Sequence, residues 1–220
     1  CWMCEAELET HRDLHLVAGM RASQRLLLRA AGISTVEQLA ASAGEIDGIA
    51  AAILVKLREQ AALQAGQDGR TAAGQALPNG WPIVESRVVS DTRLRQLPTA
   101  DAGDVFFDFE GDPLWSADGA DWGLEYLFGL AEADGQFRCW WGHDRAQEKQ
   151  ALVDFMDYIT QRRATHPGLH IYHYAPYEIT AMRKLMGRYA TREDEVDMLL
   201  RRGVFVDLYR IVRQGLLFGD

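Results

Sequence analysis

The chain has 220 residues, of which 48% are hydrophobic, and its formal net charge is −9 at pH 7. This length suits one ordinary domain plus a smaller one, and no apolar run approaches the ~20 residues that a membrane-spanning helix needs. The acidic balance excludes a strongly basic nucleic-acid binder, although acidic residues concentrate between positions 101 and 160, as they would around a cation site or on a solvated face.

The N-terminal part of the chain predicts a small all-helical module over residues 1–63. Ile53, Leu54 and Leu57 have the spacing of one apolar face on its last helix. Residues 64–80 are mainly Gly, Gln, Ala and Asp, with little that could be buried. This composition predicts a linker and a domain boundary.

Two turns of this module, at residues 18–20 and 31–36, resemble those of helix-hairpin-helix modules, which bind the nucleic-acid backbone through loop amides. Arg21 and Arg25 are four residues apart and would share one helix face, where they could contact phosphates. A solvated surface on a structural bundle has the same spacing, so both interpretations stay open.

Cysteine usage favours a reducing compartment, and we expect a cytoplasmic protein. The chain has three cysteines, too few for a disulfide framework, and its start shows no signal peptide. Cys1 and Cys4, followed by His11 and His15, have the residue types of a zinc site, but the gap between the two pairs is short for a classical finger. Because the chain begins without Met, we expect it to be a piece of a longer protein.

Residues 81–220 predict an α/β domain with a mixed sheet. Strands are expected at 105–109, 126–131, 137–141, 169–174 and 204–206, and helices at 146–163 and 177–189. The first strand is a short apolar run, which is typical of a central strand buried on both faces. Tight connections between the first three strands predict an antiparallel half, and the later crossover helices predict a parallel half.

The motif Asp108-Phe109-Glu110 lies at the exit of the predicted central strand. Residues two apart point to the same face of a strand, so the two carboxylates would lie together. Such a pair repels unless a cation lies between its members, and Mg²⁺ or Mn²⁺ would relieve the repulsion. The alternative is a strand that simply ends in a polar turn.

A third acid, Glu178, would lie in the first turn of the helix that follows the strand ending at His173. A parallel strand reached through a crossover helix tends to lie beside the central strand, so Glu178 can approach Asp108 and Glu110. The alternative is an acid that only complements the helix dipole.

These residues carry a resemblance to a known family. Asp108-x-Glu110 resembles the first exonuclease motif of the DEDD family, and Tyr174-x-x-Tyr177-Glu178 resembles the second. The sequence departs from the pattern at Glu178, where most members have Asp, and at Tyr174, where many have Asn.

Two longer segments, residues 104–113 and 123–129, resemble the YprB-type ribonuclease-H-like domain. That domain occurs in predicted RecB-like nucleases, often joined to a superfamily I helicase, and the resemblance covers about residues 81–220. It implies a ribonuclease-H-like fold and a part of a larger nuclease–helicase protein. It also implies that Cys1 and Cys4 are the remnant of an iron–sulfur cluster of the longer parent.

The resemblance further implies two-metal hydrolysis of single-stranded DNA or RNA from its 3′ end, with Mg²⁺ or Mn²⁺ as cofactor. Its metal ligands and catalytic residues would be Asp108, Glu110 and Glu178, with Asp207 as a weaker candidate for a ligand. The family's last metal-binding Asp has no match before Asp220, so we expect a domain truncated at its C-terminus.

Around these ligands, His173 and Asp112 would support the carboxylates, and Arg183, Lys184 and Arg188 would contact nucleic acid. The competing hypothesis is a catalytically incomplete module that binds nucleic acid for a fused helicase.

Overall fold

The structure is a computed structural model that describes residues 2–72, 74, 76–77 and 83–219, with side chains described for 6–70, 74, 76–77 and 83–219. The chain divides into two compact units, one formed by Cys1–Val89 with Leu216–Asp220 and the other by Ser90–Gly215. Among the described residues, no helix is both long and apolar enough to cross a membrane.

The first unit is mainly helical. Its elements are α1 (Trp2–Thr10), α2 (Ala22–Ala30), α3 (Val36–Ala41), α4 (Ala51–Ala72) and an antiparallel pair of strands, β1 (Ser86–Val88) and β7 (Leu216–Phe218). Thr35 caps α3 by accepting a hydrogen bond from the Gln38 amide. Leu14, Leu28 and Leu39 are fully buried in the core of this unit.

The predicted end of the last helix at residue 63 is wrong, because α4 continues to Ala72. Two buried glutamines of α4 form hydrogen bonds with backbone groups. Gln60 donates to the Phe218 carbonyl at 2.7 Å, while Gln67 donates to the Ile83 carbonyl at 2.7 Å and accepts from the Glu85 amide at 2.8 Å. The first part of the predicted linker is therefore helical, and residues 73, 75 and 78–80 lie outside the described residues.

The second unit contains the mixed sheet that the sequence predicted. Its strands are β2 (Val105–Asp112), β3 (Leu124–Glu132), β4 (Phe137–Trp141), β5 (Ile171–His173) and β6 (Phe205–Asp207). The spatial order is β4-β3-β2-β5-β6. The pairs on the β4 side of β2 are antiparallel, and those on the β6 side are parallel. The α/β class and the central place of β2 are confirmed.

This unit also contains helices. They are α5 (Asp91–Leu94), α6 (Arg145–Thr165), α7 (Tyr177–Tyr189), α8 (Glu193–Arg201) and α9 (Leu208–Gly215). Side chains from α6, α7 and α8 join Phe107 and Phe109 of β2 in a single core. The predicted bounds of α7 and β4 agree with the structure, whereas α8 and α9 were not predicted. Both helices are short, and Val196 and Leu199 are the only buried residues of α8.

The expectation that β2 is buried on both faces is wrong. Its residues alternate, with Phe107 and Phe109 buried against the helices and Phe106, Asp108 and Glu110 exposed on the opposite face. Phe106 is 49% exposed although it stacks on Tyr172 of β5 at 5.5 Å. A cavity of about 590 Å³ opens on this face, and the two acids of the motif line it. The apolar run concealed the alternation because Phe106 is itself apolar.

A charged cluster around Glu132 holds the far end of β3. Arg138 donates to its carboxylate at 2.7 Å, Tyr158 at 2.7 Å and Arg162 at 2.6 Å. The Arg138 hydrogen bond is the main cause that lowers the pKa of Glu132 from 4.5 to about 2, with Tyr158 and Arg162 adding to it against the opposing effect of burial.

We predict that Glu132→Gln lowers the free energy of unfolding at pH 7 by roughly 2 kcal/mol, because the arginines lose their charged partner. A depressed pKa stabilises the fold above pH 4.5, and this contribution disappears as the pH falls from 4.5 to about 2. Urea unfolding across this range should show a flatter profile for the variant, with the two proteins converging at the acid end. Equal slopes for both proteins would contradict the assignment.

Candidate active site

The ends of two neighbouring parallel strands form the site. β2 and β5 pair in the register Val105 with Ile171 and Phe106 with Tyr172. Since parallel strands end at the same edge of a sheet, Asp108 on β2 lies beside the end of β5 at His173. The acids of the motif and the start of α7 therefore share one edge of the sheet.

A strained turn connects β5 to α7. Ala175 has φ of +76°, a left-handed conformation that costs a residue with a side chain about 1–2 kcal/mol. Two contacts hold it: its amide donates to Asp207 Oδ1 at 3.0 Å, and its carbonyl oxygen lies 2.8 Å from His173 Nδ1. This turn directs the first turn of α7, and with it Glu178, back towards the end of β2.

Asp108 and Glu178 come together at this edge of the sheet. The side chain of Glu178 is only 3% exposed. Burial raises the pKa of Asp108, and its hydrogen bond with Glu178, the charge of Glu178 and the charge of Glu110 raise that pKa further. Two carboxylates brought together in this way repel each other, and a cation between them would relieve the repulsion.

His173 supports this pair from the end of β5. Its side chain is fully buried, and its Nδ1 lies 3.1 Å from Glu178 Oε2. Burial lowers the pKa of His173, but the hydrogen bonds to Glu178 and Ala175 and the charges of Glu178 and Asp207 outweigh it, so that the pKa is raised. Among the described residues no hydrogen-bond partner meets its Nε2.

The other three predicted acids, Glu110, Asp112 and Asp207, have different surroundings. Glu110 is exposed on the same face as Asp108. The Asp112 carboxylate accepts from the Leu114 amide at 2.9 Å, so it shapes the turn after β2. Asp207 Oδ1 accepts from the amides of Ala175 and Tyr209, at 3.0 and 2.8 Å. The predicted roles of all three towards a metal stay predictions.

The acid set has the chemistry of a site for a hard cation, because all its donors are carboxylate oxygens. Within the residues whose side chains are described, however, no three His, Cys, Asp or Glu groups are arranged to hold a metal ion. The Asp108–Glu178 pair is the part of such a site that the fold assembles. Cys1 and the side chain of Cys4 lie outside the described residues, so predictions about them stay predictions.

The basic residues predicted to contact nucleic acid fall into two groups. Arg188 lies 3.3 Å from Glu148 and 3.0 Å from Asp121, and Arg25 binds Asp13 through two contacts of 2.6 Å. Each arginine neutralises an acid of its own unit, so binding to a phosphate would have to compete with that ion pair.

The other three predicted basic residues are less engaged. Arg183 is exposed on α7 and forms no hydrogen bond or ion pair with the described residues. Lys184 interacts with the charge of Glu125. Arg21 precedes α2, where its amide donates to the Gln24 side chain at 2.8 Å.

Two acids that the sequence did not single out, Glu125 and Glu148, accept hydrogen bonds from side chains of α7. The Tyr177 hydroxyl donates to Glu125 Oε2 at 2.8 Å. Glu148 is fully buried and accepts from the Glu125 amide, Arg145, Arg188 and Tyr189. The partners lie far apart in the sequence, on different strands and helices, so no local pattern signals them.

A mixed five-stranded sheet with acids at the end of its central strand defines an α/β protein of ribonuclease-H-like architecture. Residues 105–219 match the family RNase_H_2 of the RNase_H superfamily. Because this match spans more than half of the chain, the chain belongs to the RNase H superfamily. No curated protein and no solved structure matches it. Domains of this superfamily act on nucleic acids and generally hydrolyse phosphodiester bonds, which indicates a nuclease-like function related to nucleic acid.

We predict that Asp108→Asn stabilises the metal-free protein at pH 7 by roughly 1 kcal/mol, as is common when a charge is removed from a strained functional site. A carboxyl group with a raised pKa costs stability once the pH exceeds its ordinary pKa of 3.8. Asparagine keeps the shape and does not ionise. Denaturant unfolding in the presence of a chelator measures the change.

The matched control for this comparison is Glu193→Gln, which alters an exposed acid in the first turn of α8. It should leave stability within about 0.5 kcal/mol of the parent. A destabilised Asp108→Asn protein would show that the acid pair does not repel.

Proposed function

We propose that this chain is a metal-dependent nuclease domain of the DEDD type, which removes nucleotides from the 3′ end of single-stranded nucleic acid. The observation that carries the proposal is that Asp108, at the end of the central strand, and the buried Glu178 lie close enough for their carboxyl groups to interact. Membership of the RNase H superfamily supports the same chemistry.

The cation of this proposal is Mg²⁺ or Mn²⁺. Asp108 and Glu178 would hold it, and Glu110 is the next acid within electrostatic reach of Asp108. Asp207 is a poorer ligand, since one of its oxygens already accepts two amide hydrogen bonds. When bound, the ion would activate a water molecule and stabilise the leaving oxygen.

The protein's own residues have positioning roles in this proposal. His173 Nδ1 lies between the Ala175 carbonyl oxygen and Glu178 Oε2, so it limits the rotation of the Glu178 carboxylate. Asp207 holds the turn before α7 through the Ala175 amide. Arg183, exposed on α7, would be the first basic side chain to meet a phosphate.

The sequence resemblance of residues 104–113 and 123–129 to the YprB-type domain supports a narrower proposal. In it, the chain is part of a RecB-like nuclease that works with a helicase domain of the same parent chain. Single-stranded DNA or RNA is then the strand that the helicase releases. The helical first unit, residues 1–63 in the sequence-based division, would be a helix-hairpin-helix-like accessory module.

A second candidate is a module that binds nucleic acid without cutting it. Its support is that no three potential ligands among the described side chains are arranged around a metal position. The two candidates differ in what Mn²⁺ does: the nuclease needs it for cleavage, and the binding module does not need it for affinity.

We predict that single strands labelled at the 5′ end are shortened from their 3′ end in Mn²⁺, and that Asp108→Asn and Glu178→Gln each reduce the rate by at least about 100-fold. Both variants keep side-chain size but lose the charge that would hold the ion. Gel-resolved product ladders measure the rate.

Glu193→Gln is again the control, since it changes an acid in the first turn of a different helix, and it should retain the parental rate. Strand binding without cleavage in Mg²⁺ and Mn²⁺ would favour the second candidate. Undiminished cleavage by Asp108→Asn would reject the site.

A further inference from the structure

A hydrogen bond ties the start of α7 to the sheet on the far side of β2. Tyr177, the first residue of α7, donates its hydroxyl proton to Glu125 Oε2 at 2.8 Å. Glu125 is the second residue of β3 and is 7% exposed. The bond therefore connects the residue next to Glu178 with a nearly buried acid on the strand that neighbours β2.

The Tyr177 hydroxyl lies among acidic side chains. Burial raises the pKa of its hydroxyl, and the hydrogen bond and charge of Glu125 and the charges of Glu178 and Glu110 raise it further. Burial also raises the pKa of Glu125, an effect that the Tyr177 hydrogen bond opposes. The same interactions place Tyr177 within electrostatic reach of two of the three acids of the site.

Gly111 leaves room for this hydrogen bond. It directly follows Glu110, pairs with Glu125, and lies where the register between β2 and β3 shifts. A Cβ atom at this position would lie 2.4 Å from Glu125 Oε2 and 2.8 Å from Tyr177 Oη. The Tyr177–Glu125 bond thus lies directly against the backbone that carries Glu110.

Three contacts hold the first turn of α7 and the loop before it. Asp207 on β6 binds the Ala175 amide, and His173 on β5 contacts Glu178. Both of these contacts come from one side of β2, whereas the contact of Tyr177 with Glu125 comes from the β3 side. Glu178 is therefore placed opposite Asp108 by contacts on both sides of the strand that carries Asp108.

We propose that Tyr177 is a positioning residue for the acid cluster, defined as Asp108, Glu110 and Glu178. Its hydrogen bond to Glu125 sets the first turn of α7 against the end of β2, so that Glu178 meets Asp108. The inference deepens the proposed function and rests on it, because the geometry that Tyr177 maintains is that of a cation site.

The test compares two tyrosines that both donate to a buried glutamate. Tyr177 binds Glu125, and Tyr189, at the other end of α7, binds Glu148. Calorimetric titration of the whole chain with Mn²⁺ should show about 10-fold weaker binding for Tyr177→Phe, the usual effect of removing a group that orients a metal ligand. Tyr189→Phe should stay within about twofold of the parent although it loses the same kind of bond.

Two further variants separate positioning from general damage. Glu125→Gln keeps an acceptor for the Tyr177 hydroxyl and should bind Mn²⁺ nearly as the parent does, whereas Glu125→Leu should match Tyr177→Phe. Equal losses for Tyr177→Phe and Tyr189→Phe would overturn the proposal, since that result indicates loss of stability alone. Unchanged binding by Tyr177→Phe would overturn it as well.

A metal-free measurement keeps this inference distinct from the proposed function. Amide NMR spectra of Tyr177→Phe without metal should show shifts at residues 175–180, and those of Tyr189→Phe should not. If the parent binds no Mn²⁺ but these shifts occur, the nuclease proposal fails and the positioning of α7 by Tyr177 stands. If the shifts are absent, the positioning role is rejected whatever the metal affinity.

Discussion

The contact between two carboxyl groups, Asp108 and Glu178, is the constraint on which the rest of the second unit depends. Bringing two acids together, one of them almost fully buried, costs free energy, which the fold has to supply elsewhere. The left-handed Ala175 adds strain at the same place. The large apolar core between the sheet and helices α6, α7 and α8 is what stabilises such an arrangement. An acid pair of this kind destabilises the fold, and the cation that we propose would offset that cost.

The buried or clustered carboxylates of the second unit fall into two groups, those with a basic partner and those without one among the described contacts. Glu132 and Glu148 are buried acids surrounded by arginines and tyrosine hydroxyls, so their negative charges are compensated within the fold. Asp108 and Glu178 are compensated by no arginine or lysine among the described contacts, and Glu110 adds a further negative charge. This difference distinguishes acids that stabilise the fold from the acids that we propose as cation ligands at the end of β2.

The elements that a sequence can predict are those with a strong local pattern. The apolar run of β2, the hairpin to β4 and the regular spacing of α7 all carried their own signal, and the parallel pairing of β5 with β2 followed from the crossover. The contact of Tyr177 with Glu125 spans 52 positions and has no local signature. Likewise, Phe106 is exposed on its face of the sheet. The residues of a strand do not predict which of its faces will be covered.

Anomalous diffraction from crystals of the chain grown with Mn²⁺ tests the central claim most directly. We predict a peak at about 2.1 Å from carboxylate oxygens of both Asp108 and Glu178, since ions of this kind bind oxygen at that distance. A peak at another acid cluster, or Asp108 and Glu178 still hydrogen-bonded to each other in the presence of Mn²⁺, would contradict it.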